Sequence, residues 1–449
     1  MPIRNLTLES LESRDLLTTY FVTSEADTGA GSLREGIEQA NLDSEITRIV
    51  VQQNVSEIHL DSTIEYSGRQ NLNVRGNGVE VTSNGQSRGK FDLFESSGGA
   101  NLRVYDTTFS DGANGISVPV PAGKTGTIRV ILNNVTLKDN GLFGAHIDDQ
   151  VSNSSASIFL RVVGSSVTGN GTDAIDYDGV RVDEGGEGSI RARIIRTSVN
   201  GNGADGLELN ERGPGAVRAY VNNSSFDANG FFNRADFEDG LDIDETGSGN
   251  LWFIAVNSTF NDNYDQGLDL DEEMGGNLYA SLTQVNANRN MAEGIKIDEK
   301  FDANNVNSNG TLTTVFSVVT ANDNAGEEGI AITEEGNGSL WTTFTDVRAY
   351  RNGKEGIDLS ENGVGGANTV LTSVFANNNG DDGIHIDEND RGRFYFLGTT
   401  VISQSNAAYG VSLRQESDWT TDGGLGYLSG ENLAANLAGP LMVSGFTLF

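Results

Sequence analysis

GLDIDETGSGNLWFIAVNSTFNDNYDQ (Gly240–Gln266) is followed without a gap by GLDLDEEMGGNLYASLTQVNANRNMAE (Gly267–Glu293), and then by GIKIDE from Gly294. The two segments carry the same pattern over 27 residues. In GLDIDE, Leu241 and Ile243 fall on one face of an extended segment, and Asp242 and Asp244 on the other. A Gly-rich turn (Thr246–Asn250) leads into a longer alternating run, Leu251–Phe260, and an Asn-rich corner closes the unit. The apolar period is two throughout, with no helical period of 3.6 in any unit. Two or three short strands cannot bury a face alone, so successive units must stack into a solenoid of coils.

On either side of this pair the block recurs as GVRVDE from Gly179, GLELNE from Gly206, GIAITE from Gly329, GIDLSE from Gly356 and GIHIDE from Gly383, with weaker copies from Gly144 and Gly410. Gly329, Gly356, Gly383 and Gly410 repeat the 27-residue step, while three longer intervals hold insertions near Thr172–Tyr177, Phe231–Phe237 and Phe301–Asn309. Asn140, Asn202, Asn263, Asn290, Asn352, Asn379 and Asn406 all lie four residues before a repeat Gly. Stacked Asn side chains can bond along a corner and satisfy turn backbone, which favours a helical stack over a propeller.

DTGAGSLREGIEQAN (Asp27–Asn41) offers a capping box in Ser32 and Glu35 and an apolar stripe of Leu33, Ile37 and Ala40, a helix suited to plug the open end of a solenoid. This stretch resembles the SLREAI-type segment that precedes bacterial β-helix domains, and LESLESRDLL (Leu8–Leu17) resembles a short LEPLE-x-R-x-LL export segment, with Ser10 in place of Pro. With the coils, these features resemble the right-handed parallel β-helix (pectin-lyase-like) superfamily. The expected fold is all-β: a right-handed parallel β-helix solenoid with an N-terminal capping helix. The expected organisation is an export segment (1–20), a cap and irregular coils (21–114), regular coils (115–415) and a C-terminal coil or cap (416–449).

Composition narrows the function. The 449 residues contain 64 acidic and 29 basic ones, a formal net charge of −35. Such a field repels nucleic acid and anionic membranes and attracts cations. No apolar stretch approaches the ~18 residues of a membrane span. There is no cysteine, and a large self-stacking fold needs no disulfide.

Equivalent residues of stacked coils lie ~4.8 Å apart, so the sequence reads as columns. One outward column runs His146, Arg181, Glu208, Asp242, Asp269, Lys296, Ala331, Asp358, His385; the next runs Asp148, Asp183, Asn210, Asp244, Asp271, Asp298, Thr333, Ser360, Asp387. The following position is acidic from Asp149 to Glu388, and another acidic set (Asp178, Asp205, Asp239, Glu293, Glu328, Glu355, Asp382) precedes the repeat Gly. Like charges at this spacing repel by ~1 kcal/mol in water. Screening, protonation or a bound cation must relieve them. Calcium suits a set of hard oxygens, with Asp242, Asp244, Asp269, Asp271 and Asp298 as the candidate ligands; the alternative is a solvated acidic face screened by salt.

Along the long strand, Trp252, Tyr279, Trp341 and Tyr395 fall on the outward face in equivalent positions, a platform for sugar rings or a partner surface. The resemblance implies a further alternative, since polysaccharide lyases of this fold use calcium, acidic side chains and an Arg or Lys base. Lys296 with Asp298, His385 with Asp387, and Arg414 are the residues that could serve. Arg191, Arg193 and Arg196 form a local basic spot, with Arg191 and Arg193 on one face. The leading expectation is an exported or cell-surface protein, structural, adhesive or carbohydrate-contacting, with a cation-binding acidic face and a polysaccharide or cell-surface partner. The runner-up is an extracellular lyase or glycoside hydrolase acting on an acidic glycan.

Overall fold

The structure, a computed structural model, describes residues 18–150, 153–173, 175–232, 238–300, 309–389, 392–415 and 424–448. The segment Leu8–Leu17, and most of the insertions at Phe231–Phe237 and Phe301–Asn309, lie outside the described residues. Every strand pairing is parallel and links a coil to the next, the arrangement of a β-solenoid. Fourteen short strands, from Ile64–Tyr66 to Gly439–Ser444, form one sheet. Among them are the repeat strands Leu241–Glu245, Leu268–Glu272 and Ile295–Glu299, paired in unbroken register: Leu241 with Leu268, Asp242 with Asp269, Glu245 with Glu272. The long strands, such as Leu251–Thr259 and Leu340–Tyr350, build the second sheet.

Alternation fills the space between the sheets with Leu241, Ile243, Leu251, Phe253 and their equivalents, all fully buried. Phe226 stacks on Phe260, and Phe316 on Phe344, at 5.3 and 4.6 Å between ring centroids. Each long strand bends at one residue of positive φ, and these residues stack as well: Asn223, Asn257, Gln284, Val318, Asp346, Ser373 and Thr400. Asn and Asp tolerate this conformation; β-branched Val318, at φ 58°, does not. The turn after the short strand needs glycine for a different reason. A Cβ on Gly249 would sit 1.4 Å from the carbonyl oxygen of Gly215 in the preceding coil.

The asparagine ladder is present and longer than the fixed spacing shows. It runs without interruption through Asn140, Asn170, Asn202, Asn229, Asn263, Asn290, Asn324, Asn352, Asn379, Asn406 and Asn436. Each side-chain amide donates to the next carbonyl oxygen, and each Oδ1 also accepts a backbone N–H, as Asn290 does from Asn263 at 3.0 Å. Asn170, Asn229 and Asn324 escape a four-residue rule because insertions between corner and Gly displace the count.

At the N-terminal end the helix Leu33–Leu42 buries Leu33, Ile37 and Ala40 against the strands Thr18–Val22, Ile46–Val51 and Ile64–Tyr66. Ser32 Oγ accepts the Glu35 N–H, but the return bond goes one residue earlier than a capping box expects: Glu35 takes the Gly31 N–H at 2.7 Å. Among the described residues, no helix is long and apolar enough to cross a membrane.

Candidate functional site

The four acidic columns have three different fates. Those preceding the repeat Gly serve the corner. Asp178 Oδ1 accepts the backbone N–H of Asp205, Asp205 that of Asp239, Asp239 that of Gln266, and Asp382 that of Tyr409. Those following the short strand turn inward, not outward as their charge suggests. Glu184, Glu211, Glu245, Glu272, Glu334 and Glu361 are fully buried. Glu245 Oε1 accepts the N–H groups of Gly247 and Gly249, both at 3.2 Å, and Glu361 does the same with Gly363 and Gly365. The other oxygen, Oε2, is buried without a hydrogen-bond donor at Glu184, Glu211, Glu245, Glu334 and Glu361, and the glutamates of successive coils stand in register, Glu184 with Glu211, Glu211 with Glu245 and Glu334 with Glu361. Two carboxylate oxygens bond only by sharing a proton. Burial pushes Glu211 up to about 7, and burial followed by the neighbouring Glu pushes Glu245 and Glu272 up to about 8 and Glu361 to about 9. Period-two alternation already puts Glu245 on the face of Leu241 and Ile243, and the E-x-G-x-G spacing supplies the donors.

Only the two outward columns of the short-strand sheet remain as a surface, and its cations are surrounded by acid. Arg181 contacts Asp176 (3.1 Å), Asp178 (3.4 Å), Asp183 (3.3 Å) and Glu208 (2.5 Å), and His146 contacts Asp183 at 2.8 Å. Lys296 Nζ lies 2.7 Å from Asp269, 3.6 Å from Asp298 and 3.8 Å from Asp271, and Lys300 bonds Asp271. His385 is clamped between Asp382 (3.1 Å) and Asp387 (3.0 Å), and Arg414 reaches Asp387 at 3.5 Å.

These contacts decide what the two candidate bases can do. Burial opposes the charge on Lys296, but Asp269, Asp271 and Asp298 overcome it and hold the ammonium above its ordinary range. For His385 the bonds to Asp382 and Asp387 outweigh burial and push the imidazolium up to about 10. Both keep their protons near neutral pH, so neither can take one from a substrate there.

The candidate cation ligands separate into two groups. Asp271 and Asp298 are occupied with Lys296 and Lys300, and Asp269 belongs to both groups, its Oδ2 bonded to Lys296. Asp242 instead gathers with Glu208 and Asp244 on one side, and with Asp239 and Asp269 on the other, one oxygen of each within 4.8 Å of the others in its group. Burial and then Asp244 hold Asp242 well above the usual carboxylate range; burial and then Asp271 raise Asp244 to about 6. Asp269 is 7% exposed, and its Oδ1 has no hydrogen-bond partner. Glu208 and Asp239 belong to this cluster although neither column reading singled them out. Asp239 is added by the corner, which carries it beside the strand.

On the long-strand sheet the aromatic column stands as expected, one residue per coil in register: Trp252, Tyr279, Thr313, Trp341, Asn368, Tyr395. Trp252 and Tyr279 are half-buried; Trp341 and Tyr395 are 51% and 41% exposed. These last two flank a groove of about 330 Å³, completed by Thr343, Asn368, Val370 and Leu397. Towards the N-terminus the same column continues as Arg218, Arg191, Phe159 and Arg129.

No protein-family model matches the chain, and no curated protein matches it. Among solved structures it is similar to the pectate lyase Pel9A, with a TM-score of 0.45 at 13% identity over 68% of this chain and 78% of that one. It is similar to the Azotobacter vinelandii mannuronan C-5 epimerase AlgE6 A-module, with a TM-score of 0.41 at 13% identity over 96% and 99% of the two chains. The Dettilon tailspike protein gives a TM-score of 0.41 at 12% identity, over 92% of this chain and 64% of that one. The likeness is one of architecture, and the chemistry has to be read from this chain's own residues.

Proposed function

We propose that the protein is an exported or cell-surface solenoid with a structural or adhesive role, whose long-strand face contacts carbohydrate. The observation that carries this reading is the open groove between Trp341 and Tyr395, two exposed rings two coils apart on a rigid sheet, with polar Thr343 and Asn368 between apolar walls. Flat aromatic faces with nearby hydrogen-bonding groups suit sugar rings. Binding of soluble oligosaccharides, followed by tryptophan fluorescence, tests it. A saturable change lost in Trp341→Ala and Tyr395→Ala, with the thermal midpoint unaltered, supports it. The absence of binding to any neutral or charged glycan overturns it.

The acidic face adds a divalent cation to this reading. Glu208, Asp239, Asp242, Asp244 and Asp269 offer the hard oxygens that calcium accepts at coordination numbers of ~6–8. The unpartnered Asp269 Oδ1 supports the fit. A bound ion would supply charge neutralisation between coils. Binding to the native state raises the unfolding midpoint. Stabilisation by millimolar calcium that persists in high sodium chloride supports the site, whereas equal stabilisation by any salt overturns it.

A lyase or hydrolase role is the weaker reading. A lyase would need a base, and Lys296 and His385 are both held as cations by their acidic neighbours; a hydrolase would work with a pair of carboxyl groups instead.

A further inference from the structure

The cations of this chain are distributed in a way that its net charge of −35 does not lead one to expect. On the short-strand sheet each of Arg181, Lys296 and His385 is surrounded by carboxylates. On the long-strand sheet Arg129, Arg191, Arg193 and Arg218 line one groove of about 380 Å³, and among the described residues no carboxylate pairs with any of them. Arg191 and Arg218 occupy the same position in adjacent coils, a separation of ~4.8 Å. Like charges at that spacing repel by ~1 kcal/mol even in water. A chain with 64 acidic residues has left this repulsion without internal relief.

The aromatic rings explain how the guanidinium groups are held without acids. The Arg129 and Arg191 guanidinium carbons lie 5.8 and 6.0 Å from the centroid of the Phe159 ring between them, and that of Arg218 lies 4.5 Å from the Trp252 ring. A guanidinium resting its face on a ring keeps its N–H edge free, and that edge is the fork that grips a carboxylate or sulfate with two bonds. All four arginine side chains are exposed.

We propose that this groove is a binding site for an anionic saccharide, a chain whose sugar rings carry carboxylate or sulfate groups. The inference rests on the carbohydrate-contacting reading above and names the ligand class for the N-terminal half of the same outward column. Arg and aromatic positions interspersed along one column (Arg129, Phe159, Arg191, Arg218, Trp252) match a ligand that carries both charge and flat apolar ring faces. Nucleic acid is a polyanion that meets the same repulsion from the acidic particle, so an oligonucleotide is included in the test to separate it from an anionic sugar.

The experiment is calorimetric titration of the full chain with four probes: a sulfated heparin hexasaccharide, hexagalacturonate, neutral cellohexaose and a short single-stranded oligothymidylate. Binding of one or both anionic sugars, weakened by salt and by at least about tenfold in Arg191→Ala/Arg218→Ala, is the expected result. The two sugars distinguish sulfate from carboxylate. The proposal is overturned if neither anionic sugar binds more tightly than cellohexaose, if the arginine variant binds them as the wild type does, or if the oligonucleotide binds as tightly. Binding of cellohexaose alone, lost in Trp341→Ala, would overturn this inference and leave the carbohydrate-contacting reading standing; failure of every sugar overturns both. Arg191→Gln/Arg218→Gln, which keeps chain length and removes charge, must reproduce the loss with an unchanged circular dichroism spectrum.

Discussion

Lys296 and Arg218 occupy matching kinds of position, each the outward-facing second residue of its strand, on two sheets of one solenoid. Lys296 is enclosed by three aspartates, whereas Arg218 lies on a tryptophan ring with no acid beside it. The difference shows that a column's chemistry is set by its neighbours one coil away, since strand, register and turn are otherwise alike. On the short-strand sheet charge is settled within the protein and becomes part of its stability. On the long-strand sheet it is held at the surface for something else.

The sharpest way to break this contrast is to remove each cation. Lys296→Ala leaves Asp269, Asp271 and Asp298 partly buried without their counter-charge and should cost about 3–5 kcal/mol. Arg218→Ala should change stability by no more than ~0.5 kcal/mol, as for an exposed side chain without a structural partner. Chemical denaturation of the two variants tests both. Equal losses would mean that the two faces are not differently built.

The buried glutamates extend the comparison to the interior. Glu361→Ala removes the acceptor of two glycine N–H groups and opens a small cavity, with an expected loss of about 2–4 kcal/mol by denaturant titration. The same column gives a pH dependence. Folding raises Glu211 to about 7 and Glu361 to about 9 from an ordinary value near 4.5, so the folded state binds protons more tightly than the unfolded chain. Their contribution is complete below about pH 4.5 and is lost as pH rises through 7 to 9. The thermal midpoint should therefore fall between pH 5 and pH 9, and less steeply in Glu361→Gln. A rise over that interval would contradict proton sharing in the column.

A smaller stability gain concerns the bend within the long strands. Val318 is β-branched at a left-handed position where the adjacent coils use Gln284 and Asp346, and the coil beyond Gln284 uses Asn257. Val318→Asn should stabilise by about 1 kcal/mol, measurable as a small upward shift in the unfolding midpoint.

Much of this was legible in the sequence, and the misreadings have physical causes. The repeat Gly, the alternation of Leu241 and Ile243 with Asp242 and Asp244, and seven of the ladder asparagines set the solenoid and its register. The direction of Glu245 was not read from the acidic pattern, although alternation puts it on the inner face and Gly247 and Gly249 mark the donors that make a buried carboxyl tolerable. The pairing of Lys296 with the Asp269 column could be foreseen from register alone. The cluster around Asp242 was legible in part: Asp242, Asp244 and Asp269 follow from the columns, whereas Asp239 comes from a corner whose direction no strand pattern encodes. The arginine groove was half visible: Arg191 and Arg193 share a face in sequence, but Arg129 and Arg218 join them only once the coils are aligned across insertions.

The 27-residue step also makes the molecule a graduated rule. Trp341 and Tyr395 are separated by two marks, about 10 Å at ~4.8 Å per coil. Excising Gly356–Asp382 would remove one mark while joining equivalent residues, so that the ladder, the buried carboxyls and the bend all meet their usual neighbours. The spacing between recognition points on such a scaffold changes only in whole steps, and gene duplication or loss of one coil is enough to make the change. A lineage carrying this fold could follow the repeat length of a polymer outside the cell by counting coils, without redesigning a single contact.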